Sequence, residues 1–327
     1  MTVLVLGKAL RVAFGETITD LARTDPRIVV LDGDTGSSTR TDIFENEHPD
    51  RFFQMGITEQ NMLGMAAGMA TLGLIPIVST FSCFIVSRAH DPIRVLIAQP
   101  KLNVKMMGGY AGLLAGMTGK THLMFDDISI MRAMANMTVV APADEVETRQ
   151  ALAAIIDYPG PVYVRLTRPN SPILFDHSYR FEIGKAVTVR EGTDVTVFGT
   201  GTQTSRAFEA AEILAQEGIS VHLVHLPTIK PLDTEAVVTA ARKTGLVVTT
   251  EEHTIIGGLG GAIAETLAEY SPLPVKRHGL QDVFGESGPN DALLEKYGIS
   301  PQKTADAIRA FMSWHETRPG RPGKDER

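Results

Sequence analysis

Short β-branched runs alternate with helix-length segments along nearly the whole chain, and this rhythm narrows the open folds more than any other feature. "RIVVLDGD", "IPIVST", "NVKMMGG", "MTVVAPAD" and "PVYVRL" each read as a strand running out into a loop. Between them, residues 59–72, 87–98, 128–135 and 145–156 read as helices. Parallel neighbours need a crossover of about a dozen residues or more, so this alternation predicts a largely parallel sheet covered by helices on both faces. The segment "RPNSPILFDHSYRFEIG" breaks the rhythm with Pro169, Pro172 and polar residues, which predicts a linker. Alternation resumes in "DVTVFGTG", "SVHLVHL", "LVVTTEEH" and "PVKRHGL". The expectation is two doubly wound, mostly parallel α/β domains, 1–180 and 181–316. The tail 317–327 has no apolar content to bury and is expected to be disordered.

Composition removes several function classes. A formal charge of -7 argues against a nucleic-acid-binding surface. Cys83 is the only cysteine, which excludes an intramolecular disulfide and a cysteine metal cluster and fits a reducing cytoplasm. "MTVLVLGKALRVAF" is too short and polar for a signal sequence, and no apolar run is long enough to span a membrane. A cytoplasmic protein is expected.

Glycine-rich turns such as "GTGTQTS" and "GGLGGAIAE" open helices, but neither is a P-loop nor a complete dinucleotide fingerprint. His122, Asp126 and Asp127 lack the spacing of a metal-ligand pair, so no metal site is expected on this chain. More informative is "MGITEQNMLGMAAGMATLG", where Glu59 enters a helix otherwise built from Met, Ala, Gly and Leu. Glu59 could simply compensate the helix dipole, with Thr58 as N-cap. Phe81 and Phe84, at i, i+3 spacing, suit a core; His122 alone suits a structural histidine, and Arg168 a surface salt bridge. Against these readings stands position. Asp34, Glu59, Phe81 and the Tyr110 loop all follow strands, and open parallel sheets bind ligands outside the carboxyl ends of their strands.

At these residues the chain resembles the C-terminal half of transketolase, as found in split, two-subunit transketolases. The resemblance runs from about Asp32 to about Tyr297 and rests on "GITEQNM", "STFSCF...RAHDPIRVLIAQPKLNVK", "GKTHLMFDDISIMRAMANMTVVAPAD" and "VRLTRPNSP". It implies a thiamine diphosphate pyrimidine-binding domain followed by a transketolase C-terminal domain. Such a cofactor must lose the proton on its thiazolium C2 to its own 4′-amino group. A carboxyl on N1′ of the aminopyrimidine promotes this, which explains a lone glutamate entering an apolar helix. By resemblance Glu59 takes that role, Phe81 and Phe84 pack on the pyrimidine, and Asp34 lies beside the cofactor. Ser38 and Arg168 match donors to a substrate phosphate, where a guanidinium can donate two parallel bonds. His122 matches the histidine near the reacting carbonyl. The family's Gly-Asp-Gly…Asn motif, which holds Mg²⁺ and the diphosphate, is missing from this chain. A separate N-terminal subunit is therefore expected to supply the Mg²⁺ and diphosphate ligands, with two copies of each chain in the assembly.

The chain departs from the usual pattern in one loop. Tyr110 replaces a histidine, Met117 a glutamate, Thr118 an aspartate and Leu123 a glutamine, and "RAHDPIR" departs at His90, Asp91 and Pro92. Tyr110 and Thr118 stand where the family contacts the sugar, so the altered loop implies ketol transfer from a non-standard sugar substrate. The alternatives are a decarboxylating 2-oxoacid carboligase of the same superfamily and a non-catalytic regulatory subunit.

Overall fold

Strands Ile28–Asp32, Ile75–Phe81, Lys105–Gly109 and Val162–Arg165 are buried at every residue. Strands covered on both faces need no polar alternation, which is why they read as mostly apolar runs. The computed structural model describes residues 4–318. These strands belong to a seven-stranded sheet ordered Thr228–Lys230, Thr138–Val140, Val162–Arg165, Lys105–Gly109, Ile75–Phe81, Ile28–Asp32, Phe52–Gln54. All neighbours are parallel except Thr228–Lys230, which runs antiparallel to Thr138–Val140. A second, five-stranded sheet is ordered Val275–Leu280, Val247–Thr254, Val195–Gly199, Val221–His225, Val187–Arg190, and only its last strand is antiparallel. The architecture is two α/β domains with mostly parallel sheets, as the alternation implied.

Local chemistry accounts for the helix that enters the site. Glu59–Thr71 buries Glu59, Met62, Leu63, Ala66 and Ala67, the i, i+3, i+4, i+7, i+8 stripe of an amphipathic helix. It stops just before Gly73, whose φ of 87° suits a residue without a Cβ. Thr58 precedes it, but its side chain accepts no first-turn N–H; its hydroxyl donates to the Met55 carbonyl.

Three local expectations differ from the structure. The helix expected over 87–98 starts earlier, as Ser82–Arg88, and breaks before His90–Pro92 and a wide turn at Ile93–Ala98. Proline lacks the N–H a regular helix would use, which fits the break near Pro92. The segment expected as linker contains a short strand, Asn170–Pro172, antiparallel to Leu6–Ala9. Thr228–Lys230 follows that segment in sequence yet joins the first sheet. Of the tail expected to be disordered, Thr317 ends the last helix and everything beyond Arg318 lies outside the described residues. Among the described residues no helix is long and apolar enough to cross a membrane.

The second domain buries a titratable group with a measurable consequence. His278 Nε2 lies 3.2 Å from Thr304 Oγ1. Burial, with added repulsion from Lys276, pushes its pKa from 6.5 down to about 4. The unfolded chain therefore takes up this proton first as pH falls, so stability is lost between about 6.5 and about 4. One such group contributes a slope of about 1.4 kcal/mol per pH unit. His278→Gln retains a polar partner for Thr304 but does not titrate. Urea unfolding across this range should show an acid limb shallower by about that slope in the variant.

Candidate active site

The order of strands in the first sheet decides what can meet. Phe52–Gln54, Ile28–Asp32, Ile75–Phe81, Lys105–Gly109 and Val162–Arg165 lie side by side and parallel. After them in sequence come Glu59, the Asp34–Ser38 loop, Phe81 with Phe84, Tyr110 and Arg168. The chain leaves Ile28–Asp32 toward one edge and later returns to its other side. Its carboxyl end is thus a switch point, where open sheets form a crevice.

Glu59 is 4% exposed at the mouth of its helix. Arg88 Nη1 donates to its Oε1 at 2.9 Å, and among the described residues only that oxygen is hydrogen-bonded. Burying a carboxylate without a partner costs several kcal/mol, and the arginine offsets that. The same guanidinium lies 4.0 Å over the Phe84 ring, which ties the carboxylate to the aromatic group. Phe81 stacks on Phe84 at 5.7 Å and on Tyr110 at 4.2 Å. His122 meets both phenylalanines edge-on, at 5.9 and 5.3 Å. Thr121 Oγ1 lies 2.9 Å from His122 Nδ1.

The other end of the row is cationic. The Tyr110 phenol faces Ser38 and Arg168. Arg168 and Arg11 lie 5.4 and 5.9 Å from the Tyr110 ring centre. Arg11 Nε donates to the Arg168 carbonyl at 3.1 Å and its Nη1 to the Ser38 carbonyl at 2.6 Å. Burial pushes the Tyr110 phenol up, but the Ser38 and Arg168 hydrogen bonds and the positive charges of Arg11 and Arg168 bring it below its usual value. Tyr110 and Asp34 have φ of 57° and 64°, left-handed backbone that persists only where the surroundings enforce it.

Seven of the expected residues are thus linked by contact: Glu59, Phe84, Phe81, His122, Tyr110, Ser38 and Arg168. Two are not. Asp34 is exposed, its backbone N–H held by Gln54 Oε1 at 3.0 Å, while the neighbouring Asp32 organises the loop through Thr35 N and Thr41 Oγ1. Thr118 spends its hydroxyl on the Ala115 carbonyl at 2.6 Å. Of the other altered loop positions, Met117 is 72% exposed and Leu123 is buried. Sequence reasoning missed Arg11 and Arg88. Arg88 stands in the quoted "RAHDPIR", but nothing local signals a carboxylate 29 residues earlier. A cleft of about 860 Å³ opens beside this group, walled by Phe84, Arg88, Lys120 and, from the second domain, Ile256 and Phe284.

The family model "Transketolase, pyrimidine binding domain" matches residues 7–173, and "Transketolase, C-terminal domain" matches residues 184–304. The chain belongs to the transketolase family. This transketolase-family chain is similar to a 6-deoxy-6-sulfo-D-fructose transketolase subunit of Clostridium sp., 41% identical over 91% of this chain and 92% of that protein. It is also similar to one of the subunits of the apulose-4-phosphate transketolase of Phocaeicola vulgatus, 36% identical over 93% and 97% of the two chains. Among solved structures it resembles a split-gene transketolase described as an inactive β4 tetramer, with a TM-score of 0.86, 44% identity, and coverage of 94% of this chain and 99% of that one.

The residues present fit the pyrimidine end of thiamine diphosphate: a buried carboxylate with one oxygen unpaired, beside a pair of stacked phenylalanines. Among the described residues no group of three or more His, Cys, Asp or Glu is arranged to hold a metal ion.

Proposed function

We propose that this chain is the pyrimidine-binding subunit of a two-subunit, thiamine diphosphate-dependent transketolase. It works in the cytoplasm, and its donor is a non-standard ketose phosphate or related sugar. The observation that carries the reading is the row of adjacent strand ends, with a buried carboxylate at one side, aromatic rings in the middle and arginines at the other. A carboxylate suits a ring nitrogen, flat apolar faces suit an aminopyrimidine, and guanidinium groups suit an anionic sugar terminus. The two similar subunits act, by their names, on a sulfo-sugar and on apulose 4-phosphate. Those substrates agree with the replacement of the usual histidine by Tyr110.

When bound, thiamine diphosphate supplies the acidic C–H whose loss lets a two-carbon ketol fragment be carried from donor to acceptor. The unpaired oxygen of Glu59 is the group that would share a proton with N1′, and Arg88 orients that carboxylate. Phe81 and Phe84 would hold the pyrimidine and exclude water. His122 would donate to the donor's carbonyl oxygen, a position where charge develops. Ser38 and Arg168, with Arg11 behind them, would hold the anionic end of the sugar, and Asp34 would lie at the rim beside the cofactor.

A partner subunit carries the diphosphate-binding domain and its Mg²⁺, in an assembly of two chains of each kind. Mg²⁺ takes oxygen ligands and substrate phosphates, and the motif that supplies them is absent from this sequence. Reconstitution tests the whole proposal. Calorimetry should find no micromolar binding of thiamine diphosphate to the chain alone, and tight Mg²⁺-dependent binding to the co-expressed pair. The pair should turn over a ketose phosphate in a donor screen that includes pyruvate. Micromolar binding by the lone chain would sink the shared site, and carbon dioxide release from pyruvate would favour the carboligase instead.

A further inference from the structure

The loop from Tyr110 to His122 carries two site residues, yet most of what holds it belongs to the second domain. Leu113 and Leu114 are buried, and their N–H groups would be orphaned without an acceptor. Both donate to one oxygen of Glu252, at 2.7 and 3.1 Å. Glu252 is itself fixed: Arg206 Nη1 donates to its other oxygen at 3.0 Å, and Arg165 Nη2 donates to its carbonyl at 2.8 Å. The approach is close enough that a Cβ on Gly112, at φ 82°, would lie 2.2 Å from Glu252 Oε1. At the loop tip Gly116 N donates to Asn290 Oδ1 at 3.2 Å, and Gly116 accepts from Gly288 N at 3.1 Å. On the returning arm Thr254 N donates to the Phe125 carbonyl at 2.7 Å.

We infer that Glu252, assisted by Asn290, is a positioning residue through which the C-terminal domain sets Tyr110 and His122 for ketol transfer. Neither residue belongs to the row of strand ends, and neither touches Glu59 or the phenylalanines. Charge-assisted bonds to two adjacent amides define the loop's departure angle, which a flexible surface loop would leave open. The role explains why a domain that contributes no side chain to the aromatic row packs its strand end against the loop of the first.

This inference rests on the function proposed above, and two readouts separate their failures. Glu59 governs proton–deuterium exchange at the cofactor C2, whereas His122 and Tyr110 act on the sugar. In the reconstituted complex Glu252→Gln should lower kcat/KM for ketol transfer about tenfold and leave C2 exchange within about twofold. Asn290→Ala should do the same more weakly, about threefold, and Asn290→Asp should recover most of the loss. Amide hydrogen exchange should rise at 111–124 in Glu252→Gln while Lys105–Gly109 stays protected. Equal loss of transfer and C2 exchange, or unchanged transfer in both variants, would overturn the positioning role. Should the wild-type complex transfer nothing, the proposed function fails. Unchanged loop protection in Glu252→Gln would then sink the hold of Glu252 on the loop as well, whereas selective deprotection would sustain that hold and overturn only its role in ketol transfer. If Glu252→Gln does not fold, Asn290→Ala decides by the same two readouts.

Discussion

Glu59→Gln will leave the fold and the two-subunit assembly in place and will slow hydrogen exchange at the cofactor C2 by about a hundred- to ten-thousand-fold, the usual range for loss of a positioned acid–base group. The carboxylate sits 4% exposed and, among the described residues, only its Oε1 is hydrogen-bonded, to Arg88. An amide in its place can still accept that bond, so packing survives. What it cannot do is share a proton with a ring nitrogen. The direct measurement is deuterium exchange at C2 in the reconstituted complex, followed by proton NMR after an acid quench. Exchange at the wild-type rate would return Glu59 to the role of a helix-end charge paired with Arg88. Arg88→Met supplies a useful contrast, because it removes the partner and the cover over Phe84 while keeping the carboxyl. If Arg88 only orients Glu59, exchange in that variant should fall less than in Glu59→Gln.

Tyr110→His, combined with Thr118→Asp, should shift the ratio of kcat/KM values toward an ordinary pentulose phosphate by about 1–3 kcal/mol, roughly ten- to a hundredfold. The Tyr110 ring stacks on Phe81 at 4.2 Å and has Arg168 and Arg11 at 5.4 and 5.9 Å from its centre, so it fills the cationic end of the row. A histidine is smaller, tolerates the left-handed φ of 57° better than a bulky tyrosine, and frees part of those donors. Tyr110 should carry most of the effect, because the Thr118 hydroxyl is already turned to the Ala115 carbonyl. Substitutions in one loop can couple, so the pair has to be made as well as the singles. The test is a competition in one reaction between the pentulose phosphate and the best donor from the screen. A ratio within about twofold of wild type would acquit both residues and move the search for the selector to the partner subunit.

What the sequence could carry was whatever depends on local chemistry and on order along the chain. Alternating β-branched and helical segments imposed two mostly parallel α/β sheets, because buried parallel strands and their crossovers leave periodic traces. The helix after Asp144 spans Glu145–Ile156 as read from the sequence, for Asp144 accepts from Glu147 N in a plain N-cap. Asp34, Glu59, Phe81 and the Tyr110 loop were legible as candidates because each stands at a strand end, whereas the site roles of Phe84 and Arg168 came from the resemblance to transketolase. Only the tertiary structure decided which of them meet. Strand order in the sheet is set by non-local pairing, and it brings five carboxyl ends into one row while Thr118 bonds within its own turn. Partners that approach from other elements left no local mark: Arg88 reaches Glu59 across 29 positions and Arg11 reaches Arg168 across 157. Glu252 lies 139 positions from Leu113, one of the two amides it holds. A carboxylate that accepts from backbone N–H groups recognises no side chain, so no residue pattern in the loop could have announced it.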